Sequence, residues 1–579
     1  FWNDQIFIKK DEIFVDAEEF ISKPSKIRFR GWFINDEVLI HKWSVDGSKG
    51  YPWIMAFEAL LRCGGNMVIP GTDKNSKLYS ETASKMGLYI THHHAEPLGA
   101  EMFARAYPEL TASYAEHPEL FQKLWKEGIE AQKHMKVVWN LGFRGQGDRP
   151  FWDDSPQFNT PESRGKLISE LIKLQLDLVS SMIENPVCCT NLYGEVMELY
   201  KDGHIDLPDN VIRIWADNGY GKMVTRRMDL HNPRVPALPP HEDHVNAHGI
   251  YYHVSFYDLQ AANHMTMQPN SLEFISRELQ GAFSIGVTDY LIVNCSNIKP
   301  HTFFLDALRK LWSNGTLEED QHMLEYITDY YGITEINVIE DIKACYKGYS
   351  EATIQFGPHE DEHAGDQFYN YTTRILAHYW MKGQTEGSAK LLRWATSDIS
   401  YKEQVKWYLE KCIQGKEQFE GLYEKCTHVY NNLTGYAKIL FEESIYLQVK
   451  MHLYCLTGAI EFCQAYEMFT EKEYEKSFYL MGKASESYQN ADNAMRESEK
   501  GIWKGFYEND CLCDIKQTAY ILKHMMFYIR NMGEGPHFFN WQRNFIYKEE
   551  DRRVMLITNM ENHLTDEELY EAMKKSKEL

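Results

Sequence analysis

The sequence predicts a TIM (β/α)8 barrel followed by an all-α helical bundle. Three observations carry this: eight short, nearly continuous apolar runs between residues 27 and 312, amphipathic stretches between most of them, and loss of the strand signal after Trp312. Brief apolar strands alternating with helices indicate a parallel sheet covered on both faces. Eight of them over roughly 285 residues is the size and count of a barrel. A doubly wound open sheet is the rival, weakened because no glycine-rich phosphate turn follows the first strand.

In chain order the strand runs are "IRFRGWFI", "GNMVIP", "GLYIT", "VVWNLGF", "NPVCCTNL", "VIRIWAD", "GIYYHVSF" and "DYLIVNC". Helical patterns such as "YPWIMAFEALLRC", "PELFQKLWKEGIEAQKHM" and "ESRGKLISELIKLQLDLVSSMI" separate them. After Trp312, "TLEEDQHMLEYITDYYG" predicts a helix opened by a Thr316–Glu319 capping box. Long stretches with 3.6-residue periodicity follow it. The expected division is a lead-in over residues 1–26, the barrel over 27–312, and a helical bundle over 313–579 that is a candidate dimerisation surface. At 579 residues the chain is too long for one core.

The 61 Lys and Arg against 84 Asp and Glu give a formal charge of -23, which argues against nucleic acid and anionic membranes as partners. A few basic residues in a pocket can still receive an anionic substrate. Aromatics reach 14%, with 14 Trp and 36 Tyr, a weak hint of sugar stacking. The 11 cysteines show no zinc-ribbon spacing and are odd in number, so reduced thiols and a cytoplasmic setting are expected. No apolar run spans a bilayer and no signal peptide is visible, although the sequence opens at Phe1 without a Met.

Catalytic groups of such a barrel follow the C-terminal ends of the strands. Strand one leads to Asn35, Asp36 and Glu37; strand three to His92, His93, His94 and Glu96; strand four to Arg144 and Asp148. Strand five leads to Tyr193 and Glu195, strand six to Asp217 and Asn218, strand seven carries Tyr252 and His253, and strand eight reaches Asn294, Asn297 and Lys299. Carboxylates facing one pocket push each other's pKa apart, as glycoside hydrolysis requires: one acid protonates the leaving oxygen while a carboxylate activates water or attacks. Arg144 is suited to a bidentate grip on a substrate carboxylate. Taken singly, Asp36 and Glu96 are equally well read as loop caps or mouth salt bridges, Arg144 and Asp148 as a mutual pair, and Tyr252 and His253 as satisfied core groups.

At "THHHAEP", "NLGFRGQGD", "LYGEVMELYKDGHIDLPDNVIRIWADNGYG" and "GIYYHVSF" the chain resembles glycoside hydrolase family 115, the α-glucuronidases that remove glucuronic acid or its 4-O-methyl ether from xylan and related glycans. "FRGWFINDE", "LIVNCSNIKP" and "GPHFFNWQRNF" are further landmarks in the same order. The resemblance implies an inverting mechanism, commonly a homodimer built through the helical domain, and absence here of the N-terminal α/β domain and C-terminal β-sandwich of longer members. It implies Glu195 and Asp148 as the catalytic carboxylates, Glu195 as general acid, with Asp217 and Asp36 in support. Substrate contacts are expected from Arg144, His94, Glu96, Tyr193, Asn218, His253, Asn297 and Phe539. No cofactor or metal is expected; the partner is a uronic-acid-decorated glycan such as xylan or arabinogalactan.

The departures bear on substrate more than on reaction type. Gly194 stands where the family has Lys, Asn218 and Gly219 where it has Asp and Asn, Phe256 where it has Tyr, and Ser296–Asn297 where it has Gly-Asp. "VIPGT" replaces a tryptophan-rich segment after strand two. They keep open a catalytically impaired, glycan-binding protein on the same scaffold.

Two histidine clusters offer different chemistry. "HEDEH", His359–His363, fits the helical zinc pattern HExxH. Asp361 and Glu362 are too polar for a buried zinc helix, and Gly357–Pro358 instead predicts an acidic first helical turn. "HEDHVNAH", His241–His248, follows "VPALPP" and is read as a substrate-facing loop.

Overall fold

The computed structural model describes residues 1, 12, 14, 23–146, 149–240, 246–257, 261–554 and 562–576. The eight apolar runs form eight parallel strands: β1 (Phe29–Phe33), β2 (Met67–Ile69), β3 (Tyr89–Ile90), β4 (Val138–Leu141), β5 (Val187–Leu192), β6 (Val211–Ala216), β7 (His248–His253) and β8 (Tyr290–Asn294). Their spatial order is β3-β2-β1-β8-β7-β6-β5-β4. An isolated parallel bridge between Ile90 and Val137 joins the two ends, so the sheet closes into a barrel with its thinnest seam at the two-residue β3. In the registers of β1 with β8 and β7 with β8, Phe33 and His253 each lie level with Asn294, which brings three strand ends to one height.

The pleat sends alternate side chains inward. Phe29 and Phe33 of β1, Met67 and Ile69 of β2, Ile212, Ile214 and Ala216 of β6, and Tyr290 and Ile292 of β8 fill the interior as one apolar cluster. Between Phe29 and Phe33 stands Gly31, where a Cβ would lie 1.6 Å from the Met67 carbonyl oxygen. Only glycine permits this approach of β1 to β2.

Helices cover the barrel: α1 (Val38–Lys42), α2 (Tyr51–Arg62), α3 (Lys74–Lys85), α4 (Pro118–Gln132), α5 (Pro161–Met182), α6 (Glu195–Lys201), α7 (Leu272–Ser284), α8 (Thr302–Asn314) and α9 (Glu319–Tyr331). Thr160 opens α5 with a capping box to Ser163, and Ser271 caps α7 at the Phe274 N–H. The box expected at Thr316–Glu319 does not form; Glu318 is the N-cap of α9 and makes no side-chain cap. Among the described residues no helix joins β6 to β7. Residues 223–237 fold back as an irregular hairpin instead, bonded from Ala237 N–H to the Met223 carbonyl and from Thr225 N–H to the Val235 carbonyl.

The chain divides into two compact units, Phe1–Phe256 with Asn270–Thr334, and Tyr257–Pro269 with Glu335–Leu579. The boundary expected at 312/313 thus lies short of α9. That helix packs on α8, with Tyr326 edge-on to Phe303 at 5.2 Å and its hydroxyl 3.2 Å from Thr302 Oγ1. Burial of this aromatic face binds α9 to the barrel side of the division.

The second unit is helical: α10 (Ile336–Ala352), α11 (Asp366–Met381), α12 (Tyr401–Asn432), α13 (Leu447–Thr470), α14 (Tyr474–Glu497) and α15 (Ile515–Gly533) carry its core. Ser400 and Glu403 cap α12 reciprocally. The Asp366 carboxylate, in the first turn of α11, accepts the consecutive N–H groups of His264, Met265 and Thr266 and so fastens residues 264–266 to this unit. All eleven cysteines are free thiols. Among the described residues no helix is long and apolar enough to cross a membrane.

The HExxH segment is not helical. Residues 359–361 turn, and His363 bridges antiparallel to Gln355, so α11 begins only at Asp366. The two histidines therefore lack the one-turn spacing a zinc helix requires, and the acidic first helical turn expected there is absent too. Asp361 and Glu362 are buried, and Glu362 Oε2 accepts the His359 N–H at 3.0 Å, closing the turn. No group of three or more metal-ligating side chains occurs among the described residues.

Candidate active site

The ends of β4 and β5 hold the densest constellation. Gly194, at φ 55°, turns the chain sharply from β5 into α6, which puts Tyr193 and Glu195 on either side of the turn. Arg144, on the loop after β4, reaches across to Glu195 with both faces of its fork: Nε donates to Oε1 at 2.8 Å and Nη2 to Oε2 at 3.2 Å. The two side chains are 10% and 9% exposed, so the pair is nearly desolvated and its geometry fixed. Arg144 also lies 5.2 Å from the Tyr193 ring centroid, with Nη1 3.3 Å from His94 Nε2. His94 stacks on Tyr193 at 4.2 Å. Arg144, Tyr193 and His94, but not Glu195, line a cavity of about 20 Å³, room for one water.

On the β6–β7 side, Asp217 is buried and its carboxylate is crowded with donors. Oδ2 accepts the Gly219 and Gly221 N–H groups at 2.9 and 2.8 Å; Oδ1 accepts the His253 N–H at 2.9 Å and lies 2.6 Å from His253 Nδ1. Asp217 thereby fixes the ring plane and the tautomer of His253 with Nδ1 protonated. Asn218 caps the same turn, its Oδ1 accepting the Tyr220 and Lys222 N–H groups. His253 lies 4.4 Å from Phe256 and 4.5 Å from Tyr251, centroid to centroid.

The β1–β3 side is organised around two buried carboxyls. Glu37 receives Asn75 Nδ2 at 2.7 Å and the Thr72 N–H at 2.9 Å; Glu96 receives the Asp73 N–H at 3.3 Å. The loop after β2 is thus clamped between a residue following β1 and a residue following β3. Desolvation pushes both Glu37 and Glu96 up to about 7, opposed by these hydrogen bonds. Nearby His92 is pushed down to about 4 by burial, against a bond to Gln132. Gly71 admits the close packing, since a Cβ there would lie 2.9 Å from Glu37 Oε1.

A family model, Glycosyl hydrolase family 115, matches residues 22–356, more than half of the chain. The chain belongs to glycosyl hydrolase family 115. Among solved structures it is similar to a family 115 4-O-methyl-α-glucuronidase with specificity for decorated arabinogalactans, at 15% identity and TM-score 0.60, covering 85% of this chain and 62% of that one. It is also similar, at 10% identity and TM-score 0.49, to a family 138 enzyme targeting pectin rhamnogalacturonan II, covering 94% and 70%. The chain thus spans less than two thirds of the first protein's length, and at 15% identity the likeness to that protein is one of fold. No curated protein sequence matches the chain.

Within this family 115 barrel the structure brings Glu195, Arg144, His94 and Tyr193 into one contact network, and Asp217, Asn218 and His253 into the adjoining one. Asp36, at φ 53°, is half-buried at the end of β1. Asp148 and the His241–Val245 part of the second histidine cluster lie outside the described residues. Arg144 gives its fork to Glu195, and the mutual pair expected of Arg144 and Asp148 falls on a residue outside the described ones. The Asp217 carboxylate holds backbone N–H groups and His253. Asn297 is wholly buried; its Oδ1 accepts the Leu39 and Ile40 N–H groups at 2.9 and 3.3 Å and its Nδ2 donates to the Asp36 carbonyl, so it caps α1. Phe539 belongs to the second unit, where its ring packs near His537 and His563.

Sequence reasoning missed Arg226. It lies on the β6–β7 hairpin, where Nη1 donates to the Tyr193 hydroxyl at 2.6 Å. The signal was present as "TRRM" in a segment without helical or strand period, but nothing local assigns such a loop to the barrel mouth.

Proposed function

We propose that this glycosidase removes glucuronic acid or its 4-O-methyl ether from decorated glycans of the xylan or arabinogalactan type, with inversion, using two carboxyl groups. The observation that carries the reading is the Arg144–Glu195 pair. It sets a carboxylate and a guanidinium, nearly out of water, against the stacked His94 and Tyr193 at the strand ends where barrel chemistry is done. Glu195 is the reacting carboxylate in this reading, acting as the acid toward the leaving oxygen. Asp148, four positions beyond Arg144 in the sequence, is the partner that holds the water. Inversion requires the two to stand roughly 6.5–9.5 Å apart so that water fits between. Asp217 acts through His253, holding its ring toward the sugar, and Tyr193 and Tyr251 give the apolar sugar face something flat to pack on.

The second reading, a glycan-binding protein without turnover, is favoured by the closure of the Arg144 fork on Glu195. One experiment separates them. A panel of uronide-decorated xylan and arabinogalactan oligosaccharides, followed by NMR, shows release of the free uronic acid first as the β-anomer if the proposal holds. Binding without release on the whole panel sinks it in favour of the second reading.

A further inference from the structure

We propose that the cavity lined by α3, α4 and the loop after β3 binds a small primary amine, its ammonium at the Glu96 carboxylate and its aliphatic body against Leu124 and Met135. The cavity measures about 320 Å³, at the lower end for a small-molecule site. It shares no lining residue with the cavity at Arg144 and Tyr193.

The charges around this cavity are already divided. Lys77 Nζ donates to Glu101 Oε2 at 2.7 Å; Arg105 donates to Glu101 Oε1 at 2.7 Å and to both oxygens of Asp73. Lys77 and Arg105 therefore already face Glu101 and Asp73. Glu96 receives the Asp73 N–H on Oε2 at 3.3 Å, and its Oε1 accepts no hydrogen bond among the described residues. At 5% exposure Glu96 gets little help from bulk water. Burial, reinforced by like charge from Asp73 and Glu37 and opposed by the Asp73 N–H and Lys77, holds this carboxyl at about 7. An arriving ammonium favours its ionised form.

The other lining side chains also ask for a donor. Gln132 Nε2 donates to the carbonyls of Gly128 and Leu98 at 3.0 and 3.3 Å, which turns its Oε1 toward His92 Nε2 at 2.8 Å. His92 Nε2 is then the protonated nitrogen, and its buried Nδ1 is an acceptor without a partner among the described residues. Glu127 stands exposed at the open side. Such a set repels an anion. A sugar fits poorly as well, because apart from His92 no lining side chain is aromatic. No group of three or more metal-ligating side chains occurs among the described residues, so an inorganic cation lacks its cage. A primary ammonium brings three donors to the carboxylate, and its carbon chain covers the buried Leu124 and the half-buried Met135.

The test is calorimetric titration of the full chain at pH 8 with butylamine and with 1-butanol, for the natural protein, Glu96→Gln and Ala131→Phe. Ala131 lines the cavity from the exposed side of α4, so a ring there fills the space and leaves Glu96 untouched. The natural protein is expected to bind butylamine about tenfold or more tighter than 1-butanol, the worth of one charge-assisted bond. Glu96→Gln should bring the two within about twofold, and Ala131→Phe should weaken butylamine about tenfold or more with an unchanged circular dichroism spectrum. Butylamine bound no tighter than 1-butanol overturns the proposal, as does an amine preference kept in Glu96→Gln. Amine binding that survives Ala131→Phe is adsorption to a chain of formal charge -23 and overturns it too. Displacement of butylamine by D-xylose puts a sugar in the cavity, with the same consequence. Should Glu96→Gln not fold, Ala131→Phe decides by the same criterion.

Discussion

The two sides of the barrel mouth hold their carboxyl groups in opposite ways. On the β4–β5 side Glu195 faces the Arg144 fork at 2.8 and 3.2 Å and is kept as half of an ion pair. On the β1–β3 side Glu37 and Glu96 are as deeply buried, at 4% and 5% exposure, but meet amide and hydroxyl donors instead of a guanidinium, and desolvation lifts both to about 7. One residue type at equivalent strand ends therefore does two jobs. The paired carboxylate is held by a fork; the unpaired ones shape a loop, because a protonated or half-protonated carboxyl is the form that burial tolerates. What separates them among the described residues is the Arg144 fork, which pairs with Glu195 and with neither Glu37 nor Glu96.

The largest expected break of this contrast is Glu195→Gln. Loss of a positioned acid or base typically costs 10²–10⁴ in rate, so turnover of a uronide substrate should fall about a thousandfold. Circular dichroism should show the fold retained. Turnover within threefold of the natural protein removes Glu195 from the reaction, whereas the same change at Glu37 should leave turnover nearly intact.

The next effect is on stability. Arg144→Met leaves Glu195 unpaired in a nearly dry site, at a cost of about 3 kcal/mol in urea unfolding. Adding Glu195→Leu should recover most of it, since replacing both partners by apolar groups removes the stranded charge. Additive losses in the double variant contradict a desolvated pair.

The β1–β3 side predicts a pH dependence of the opposite sign to that of an ion-paired carboxylate. Glu37 and Glu96 sit above the ordinary value of 4.5 in the folded protein. Their protonated forms favour the fold, so their contribution is complete below pH 4.5, is lost as pH rises to about 7, and is flat above that. Each spans about 3 kcal/mol at most by the linkage relation. Glu96→Gln should flatten part of the slope between pH 5 and 7 in denaturant titrations. An unchanged slope in Glu37→Gln and Glu96→Gln together places the titrating groups elsewhere.

Much of this contrast was legible before any coordinates. Each apolar run became a strand because both faces of a parallel barrel are buried, and the polar residue after each run had to lie at the mouth. The roles of those residues were not legible. The sequence does not show that the Gly219 and Gly221 N–H groups fold back on Asp217. Nor does it show that Glu195, 51 residues on, takes the Arg144 fork. Glu37 was named only as one of three polar groups after β1, because its upward shift comes from burial beneath the β2 loop. The HExxH pattern failed for the same reason: a five-residue string does not show that Gln355 pairs with His363 and opens the helix. Local pattern gave elements and addresses, while long-range donors and burial decided charge.

Asn297 supplies the smallest and sharpest comparison, because the same substitution reads differently for a wall residue and for a sugar ligand. Its Oδ1 accepts the N–H groups of Leu39 and Ile40, the second and third residues of α1, as an N-cap supplied from β8 rather than from the helix itself. Asn297→Ala strands two buried N–H donors and releases the Asp36 carbonyl held by Nδ2. Loss of such a cap costs about 1 kcal/mol, visible as a lower urea midpoint at unchanged m-value. Asp36 lies directly before Glu37, so the loosened turn should also raise the exchange rate of the Thr72 amide that Glu37 holds. KM for a uronide, measured well below the melting range, should stay within twofold. A KM increase of tenfold with stability unchanged would return Asn297 to the substrate, and the wall of the mouth at β8 would have to open for it.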